Sequence, residues 1–199
     1  MMSGTPEPIG DLRDPDSTAD PRTRFRAVVA EYHPKVYNLI YRYVGDAEEA
    51  ADLTQDTFVC AFRAWPNFRG DSAVYTWLYR IAINLSKNRL KHLKRRRSAE
   101  VVSLDEPVAA EEEALDREVQ DWSLSPERTL ENRELGLFLA TQVAKLPPDF
   151  REAVILRDYQ GLSYQEVAEI VGCSVKAVKS RLFRARTLLR EKLRPYLSE

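Results

Sequence analysis

The sequence predicts an all-α protein built from two small helical domains joined by a flexible acidic linker. Three observations predict it. Apolar residues recur at three- and four-residue steps, and no stretch shows the strict alternation of a half-buried strand. Capping residues, Pro and Gly punctuate the ends of these stretches. Charge is sorted along the chain. The 199 residues carry a net charge of −1, yet Asn84 to Arg97 holds seven Lys or Arg and no acid. Ser174 to Arg194 holds eight cations against Glu191 alone, and Ser98 to Leu130 holds ten acids against two arginines. Two basic surfaces separated by an acidic tether point to two nucleic-acid contacts.

Taken in order, residues 1–21 contain Pro6, Pro8, Pro15 and Pro21, five acids and few apolar residues, which predicts a disordered tail. A helix follows from Arg22 to Val44, with Phe25, Val28, Val29, Tyr32, Val36, Leu39, Ile40 and Tyr43 as its buried stripe. Pro34 should kink or interrupt it, and Gly45 ends it. Asp46 opens a second helix, with Glu49 completing a capping box. Ala47, Ala50, Leu53, Thr57, Phe58 and Ala61 are expected inward, and Asp52, Gln55, Asp56 and Val59 outward. Pro66 stops it. A third helix is expected from Ser72, as N-cap, to Arg97, a rod of roughly 38 Å at about 1.5 Å per residue. These three helices form one bundle, residues 22–97. Residues 98–125 are the linker, with a transient helix around Ala109 to Trp122. The second domain, residues 126–199, starts with Ser125 as N-cap and Pro126 at the first helical position. Its first helix runs to about Leu146 and a short one from about Asp149 to Tyr159. Ser163 and Glu166 form a capping box on the next, and Ser174 caps the last, whose stripe is Val175, Val178, Leu182, Ala185, Leu189 and Leu193.

Two constellations carry chemistry. The first spans Phe68 to Arg97. It joins a Gly-containing loop to Phe68, Tyr75, Trp77 and Tyr79, and then to the basic run. Aromatics stack on bases and cations hold phosphates, which is what single-stranded nucleic-acid binding requires. Val74, Trp77, Leu78, Ile81 and Leu85 make one face apolar. Asn84, Lys87, Asn88, Lys91 and Arg95 line another, where amides can read base edges. Trp77 and Tyr79 serve equally well as core. The second constellation is a capped helix, the turn Gly172-Cys173-Ser174 and a longer basic helix, which is a helix-turn-helix pattern. Lys176, Lys179, Ser180, Phe183 and Arg184 share its outward face. An ordinary antiparallel helix pair with a solvated basic face fits the spacing alone; the eight cations favour DNA.

Other classes find little support. Cys60 and Cys173 are distant in sequence and are expected to be buried, reduced structural residues of an intracellular protein. With only His33 and His92 besides, no metal-ligand cluster or cofactor motif is expected. No apolar run approaches the roughly 20 residues that span a bilayer, and the acidic, Pro-rich start does not read as a signal peptide. No nucleophile-base pair or phosphate-binding Gly loop appears, so no enzyme is expected.

The stretches DLTQDTF (Asp52 to Phe58), FRGDSAVYTWLYRIAINLSKN (Phe68 to Asn88) and GLSYQEVAEIVGCSVKAVKSRLFRAR (Gly161 to Arg186) resemble bacterial sigma factors of the extracytoplasmic-function group, most of all the sigma-E type. The resemblance covers Phe25 to Leu193, with these stretches in the family's order and spacing. It implies a sigma-2 domain followed by a sigma-4 domain. It implies that Asp52, Gln55, Asp56 and Phe58 dock on the β and β′ subunits of core RNA polymerase. Asn67, Phe68, Arg69, Ser72, Tyr75, Trp77, Arg80, Asn84, Lys87, Asn88 and Lys91 would read and open minus-10 promoter DNA. Ser174, Lys176, Lys179, Ser180, Arg181, Phe183 and Arg184 would read the minus-35 element, typically a GGAAC-like duplex. The acidic linker resembles a segment threaded near the polymerase active-site channel. The resemblance further implies a cytoplasmic protein without membrane insertion, needing no cofactor, and controlled by an anti-sigma factor. Lys176 and Lys179 depart from the small and Arg residues common in sigma-E members, and lysine lacks the bidentate fork of arginine. A free-standing helix-turn-helix regulator is the alternative, but it leaves Asp52 to Arg97 without a task and would need a dimer, for which no heptad seam is visible.

Overall fold

The computed structural model describes residues 20–101 and 126–194, with side chains placed for 20–96 and 135–194. The transient helix and nearly all of the expected tail and linker lie outside the described residues; Pro21, expected in the tail, is the first residue of α1. Those residues form seven α-helices, with no strand among them.

Helices α1 (Pro21–Val44), α2 (Ala47–Ala64) and α3 (Val74–Val101) pack on one another as the first bundle. Its centre is Val28, Val36, Leu39, Ile40, Ala50, Ala61 and Leu78, all fully buried. Helix α1 ends as expected, on Gly45 in the left-handed region, whose N–H donates to the Tyr41 carbonyl at 2.8 Å. Pro34 does not interrupt it. One missing N–H removes one ladder bond, and burial of Tyr32 and Val36 on either side holds the helix together.

Asp46 caps α2 by accepting from the Glu49 N–H at 2.8 Å. The reciprocal half of the expected box does not form, because Arg89 takes the Glu49 carboxylate in a two-pronged pair at 2.6 Å on each side. Ala47 is exposed, not inward. Cys60 is also exposed and Cys173 half-buried, against the expectation for both. Pro66 ends α2 in a 3-10 turn over Trp65–Asn67. Ser72 is not the N-cap of α3, which begins two residues later with the Trp77 N–H bonded to the Ala73 carbonyl. The helix runs on past Arg97 to Val101.

The second bundle consists of α4 (Pro126–Lys145), α5 (Pro148–Val154), a π-helical turn over Ile155–Tyr159, α6 (Tyr164–Val171) and α7 (Val175–Leu193). Ile155, Leu156, Val167, Val178 and Leu182 fill its centre. The Ser163–Glu166 capping box forms in both directions, at 2.7 and 3.2 Å. Gly172 ends α6 at φ 73° and turns the chain into Ser174, whose hydroxyl accepts from the Ala177 N–H. A side chain at 172 would be strained by that φ alone. The bundles meet where α3 packs on α6 and where α1 meets α4 and the π-helical turn.

Candidate nucleic-acid interface

The loop before α3 is built on an aromatic stack. Phe68 lies 4.8 Å from Trp77 and 5.5 Å from Trp65 between ring centroids, and Trp65 meets Phe25 at 5.4 Å. Phe68 and Trp77 are therefore half-buried anchors of the loop, with Gly70 taking the left-handed turn beside them. Asn67 and Arg69 are exposed on the loop and Ser72 is partly covered. Below the loop, Asn84, Asn88 and Lys91 are exposed along α3, as their spacing predicts.

The other expected α3 residues are engaged by the second bundle. The Tyr75 hydroxyl donates to the Glu166 carboxylate. Arg80 pairs with Glu169 at 3.1 Å, and the Lys87 ammonium lies 2.6 Å from Glu152. Tyr79 is core, with its hydroxyl 3.2 Å from the Gln160 amide oxygen. Burial raises the Tyr79 phenol well above its usual range. Burial and the Glu166 carboxylate push Tyr75 up to about 12.

Glu152 is the residue that reading the sequence misses. It is fully buried at the junction, with Lys87 on one oxygen and Arg181 at 3.4 Å from the other. Burial raises its carboxyl above the ordinary value, and the Lys87 ammonium opposes the rise. The available signal is its place: an acid directly before the apolar run Ala153 to Leu156. Arg151 beside it donates to the carbonyls of Tyr43, Ala144 and Leu146, so it stitches α5 to the first bundle.

On α7 the expected outward face is real. Lys176, Lys179, Ser180, Phe183 and Arg184 are all exposed, Phe183 at 74%. An apolar ring held this far into water suits a thymine methyl or a sugar. Arg181 is not on that face. It turns inward to Asp149 at 2.8 Å and to Glu152, because residue 181 falls on the stripe side between Val178 and Leu182. Ser174 spends its hydroxyl on the cap.

On α2, Asp52, Gln55 and Asp56 are exposed together. Phe58 is 8% exposed and stacks on His33 at 5.8 Å. It floors an open groove of about 540 Å³, where Gln55, Val59 and Phe62 form part of the wall. Val59 and Phe62 are exposed at 41% and 47%, so this face pairs acids with an uncovered apolar strip. No group of His, Cys, Asp and Glu among the described residues has metal-binding geometry, and no described helix is long and apolar enough to cross a membrane.

Comparison with known proteins matches residues 28–96 to sigma-70 region 2 and residues 139–189 to sigma-70 region 4. The chain is 41% identical over 175 residues to the RNA polymerase sigma-H factor of Pseudomonas aeruginosa, covering 88% of this chain and 89% of that one. It is 39% identical over 173 residues to the ECF RNA polymerase sigma-E factor of Escherichia coli, covering 87% and 88%. Among solved structures, the sigma factor RpoE of Bartonella quintana, crystallised with the anti-sigma factor NepR, superposes with a TM-score of 0.62 at 27% identity, over 88% of this chain and 98% of that one. CnrH, solved with the cytosolic domain of CnrY, shares the fold at a TM-score of 0.60 and 24% identity, over 87% and 90%.

Proposed function

This chain belongs to the sigma-70 family of RNA polymerase sigma factors, in its extracytoplasmic-function group, and from that premise we propose which of its surfaces does what. It binds core RNA polymerase and directs initiation at specific promoters. The observation that carries this function is the identity to a sigma factor over 88% of the chain, which takes in both bundles and not the helix-turn-helix alone. Sigma factors are initiation factors without catalysis of their own, and we assign this chain no active site. Its place of work is the cytoplasm.

The exposed acids and amide of α2, Asp52, Gln55 and Asp56, with Phe58 beneath the apolar groove, form the docking face for the β and β′ subunits. An acidic helix bordered by uncovered Val59 and Phe62 suits a basic coiled-coil partner with apolar knobs. The loop from Asn67 and the α3 face through Lys91 take the minus-10 strand. Phe68 and Trp77 shape the loop as a pocket wall, and Arg69, Asn84, Asn88 and Lys91 offer the outward contacts. Flipping a base costs a few kcal/mol, and such a pocket recovers it. Helix α7 enters the minus-35 major groove with Lys176, Lys179, Ser180, Phe183 and Arg184; Arg181 positions that helix from behind. An anti-sigma factor controls the chain, a reading supported by the similar RpoE having been crystallised with one.

Run-off transcription tests the assignment. Core polymerase on a template with a GGAAC-type upstream element should give chain-dependent transcripts, and the pair Asp52→Ala, Gln55→Ala should reduce them to the core-only background. DNA binding by the chain with no effect on core polymerase would point to a free-standing regulator instead.

A further inference from the structure

Tyr164 opens α6 and is half-buried, with three cations gathered around it. The Arg157 guanidinium lies 4.8 Å from the ring centre and the Lys179 ammonium 5.5 Å. Arg186 approaches the Tyr164 hydroxyl. The acids nearby are engaged elsewhere: Asp158 takes Arg186 on both oxygens, and Glu166 takes the Tyr75 hydroxyl and the Ser163 N–H. Lys179 is therefore held by a ring and not by a carboxylate. A ring orients an ammonium without neutralising it and leaves its N–H donors for another acceptor.

Lys179 shares the outward face of α7 with Lys176, Ser180, Phe183 and Arg184, all exposed. Among the described residues, it is the one cation of that face with a side-chain partner. The ring draws its ammonium toward the first turn of α6. In a helix-turn-helix the second helix lies in the major groove while the first crosses the backbone. A cation leaned on the first helix is at the rim of the groove, where the phosphates are, and not over the base edges. Lysine suits that place, because a point charge serves a phosphate without the fork that grips guanine. We propose that Tyr164 is a positioning residue for minus-35 binding. It holds the Lys179 ammonium against the DNA backbone, so that Lys179 sets affinity and salt dependence while the rest of the face reads sequence. The inference rests on the assignment of α7 to the minus-35 groove given above.

The test uses the full chain and a labelled minus-35 duplex from a promoter on which the chain directs run-off transcription, with a set of duplexes in which each base pair of the element is changed in turn. Anisotropy titrations run from about 50 to 200 mM salt. Lys179→Ala should weaken binding to every duplex by the same factor, within about twofold, and lower the slope of log affinity against log salt by about 1. Loss of discrimination at one base pair, or an unchanged slope, overturns the backbone role. Tyr164→Leu removes the ring and should weaken binding about two- to fivefold, whereas Tyr164→Phe keeps the ring and should match the parent. In the Lys179→Ala background Tyr164→Leu should add nothing, an outcome that a merely structural ring does not give. Equal losses with and without Lys179 overturn the positioning role. Should Tyr164→Leu fail to fold, NMR on the parent chain decides: the Lys179 ε-methylene protons should carry the ring-current shift of Tyr164, and ordinary lysine shifts overturn the contact. A parent chain that gives no transcripts with core polymerase, or that binds all the duplexes alike, defeats the functional assignment instead.

Discussion

Helix α3 and helix α7 are both basic, both amphipathic and both assigned to DNA, yet they meet their surroundings in opposite ways. Helix α3 is packed on two sides, against α1 and α2 and against α6, and three of its polar side chains end on carboxylates of the other bundle. Helix α7 buries Val178, Leu182, Ala185 and Leu189 on one side and leaves the other to solvent. Among the described residues, the ion pairs of α7 run from its flanks, Arg181 to Asp149 and Glu152 and Arg186 to Asp158. The difference teaches that a basic face is open to DNA only where its counter-charges lie elsewhere. In α7 they sit behind the helix and aim it. In α3 they hold Tyr75, Arg80 and Lys87, and leave Asn84, Asn88 and Lys91 exposed.

The strongest way to break the comparison is to unfold the second bundle, whose carboxylates hold Tyr75, Arg80 and Lys87 of α3. Leu182 is 2% exposed at the centre of the second bundle, and Leu182→Ala should cost about 2–5 kcal/mol, a large share of the stability of a small unit. The expected outcome is an early melting step in calorimetry, loss of minus-35 duplex binding, and a gain in minus-10 strand binding above that step. Loss of both activities in a single transition would mean that the bundles fold as one unit. A narrower change sharpens the comparison from the other side. Phe183→Ala and Arg184→Ala lie on the open face and touch no α3 residue, so each should weaken minus-35 binding by about tenfold to a hundredfold. Neither should alter single-strand binding, and anisotropy titrations with the two DNAs check both statements.

The fold was legible because most of its punctuation is local. The Ser163–Glu166 box, the Gly172 turn, the Ser174 cap and the stripe of α7 each need only neighbours within a few residues. What failed needed distant partners. Glu49 looked like half of a capping box until Arg89, forty residues on, claimed it. Pro34 looked like a break, but burial on both sides of it carries the helix through. The site was legible as residue types and not as availability. Asn84, Asn88 and Lys91 are exposed as their spacing requires, and so is the reading face of α7. Periodicity says nothing of which acid meets Lys87, and Arg181 follows the motif while facing away from the groove. Phe68 and Trp77 match base-stacking chemistry, but in this structure Phe68 stacks on Trp65 and Trp77 packs against both at a tilt.

The smallest effect concerns acid, and its sign separates two of the carboxylates that hold α3. Burial alone would raise the Glu166 carboxyl, but hydrogen bonds from Ser163 and Tyr75 outweigh burial and hold it below the unfolded value of 4.5. Its contribution is therefore fully present above 4.5 and is lost as pH falls through the lower, folded value. Glu152 runs the other way. Burial raises its carboxyl, so folding favours its protonated form, and it takes up its proton above 4.5, where Glu166 is still ionised. As pH falls from neutral, the Lys87 contact should weaken first and the Tyr75 contact last. Thermal midpoints of the parent chain and Glu166→Gln should differ by a few degrees at most above pH 4.5 and converge below the folded value of Glu166. Thermal midpoints of the parent chain and Glu152→Gln should converge at a higher pH than that. Convergence of both variants at one pH would show that Glu152 and Glu166 titrate as one group.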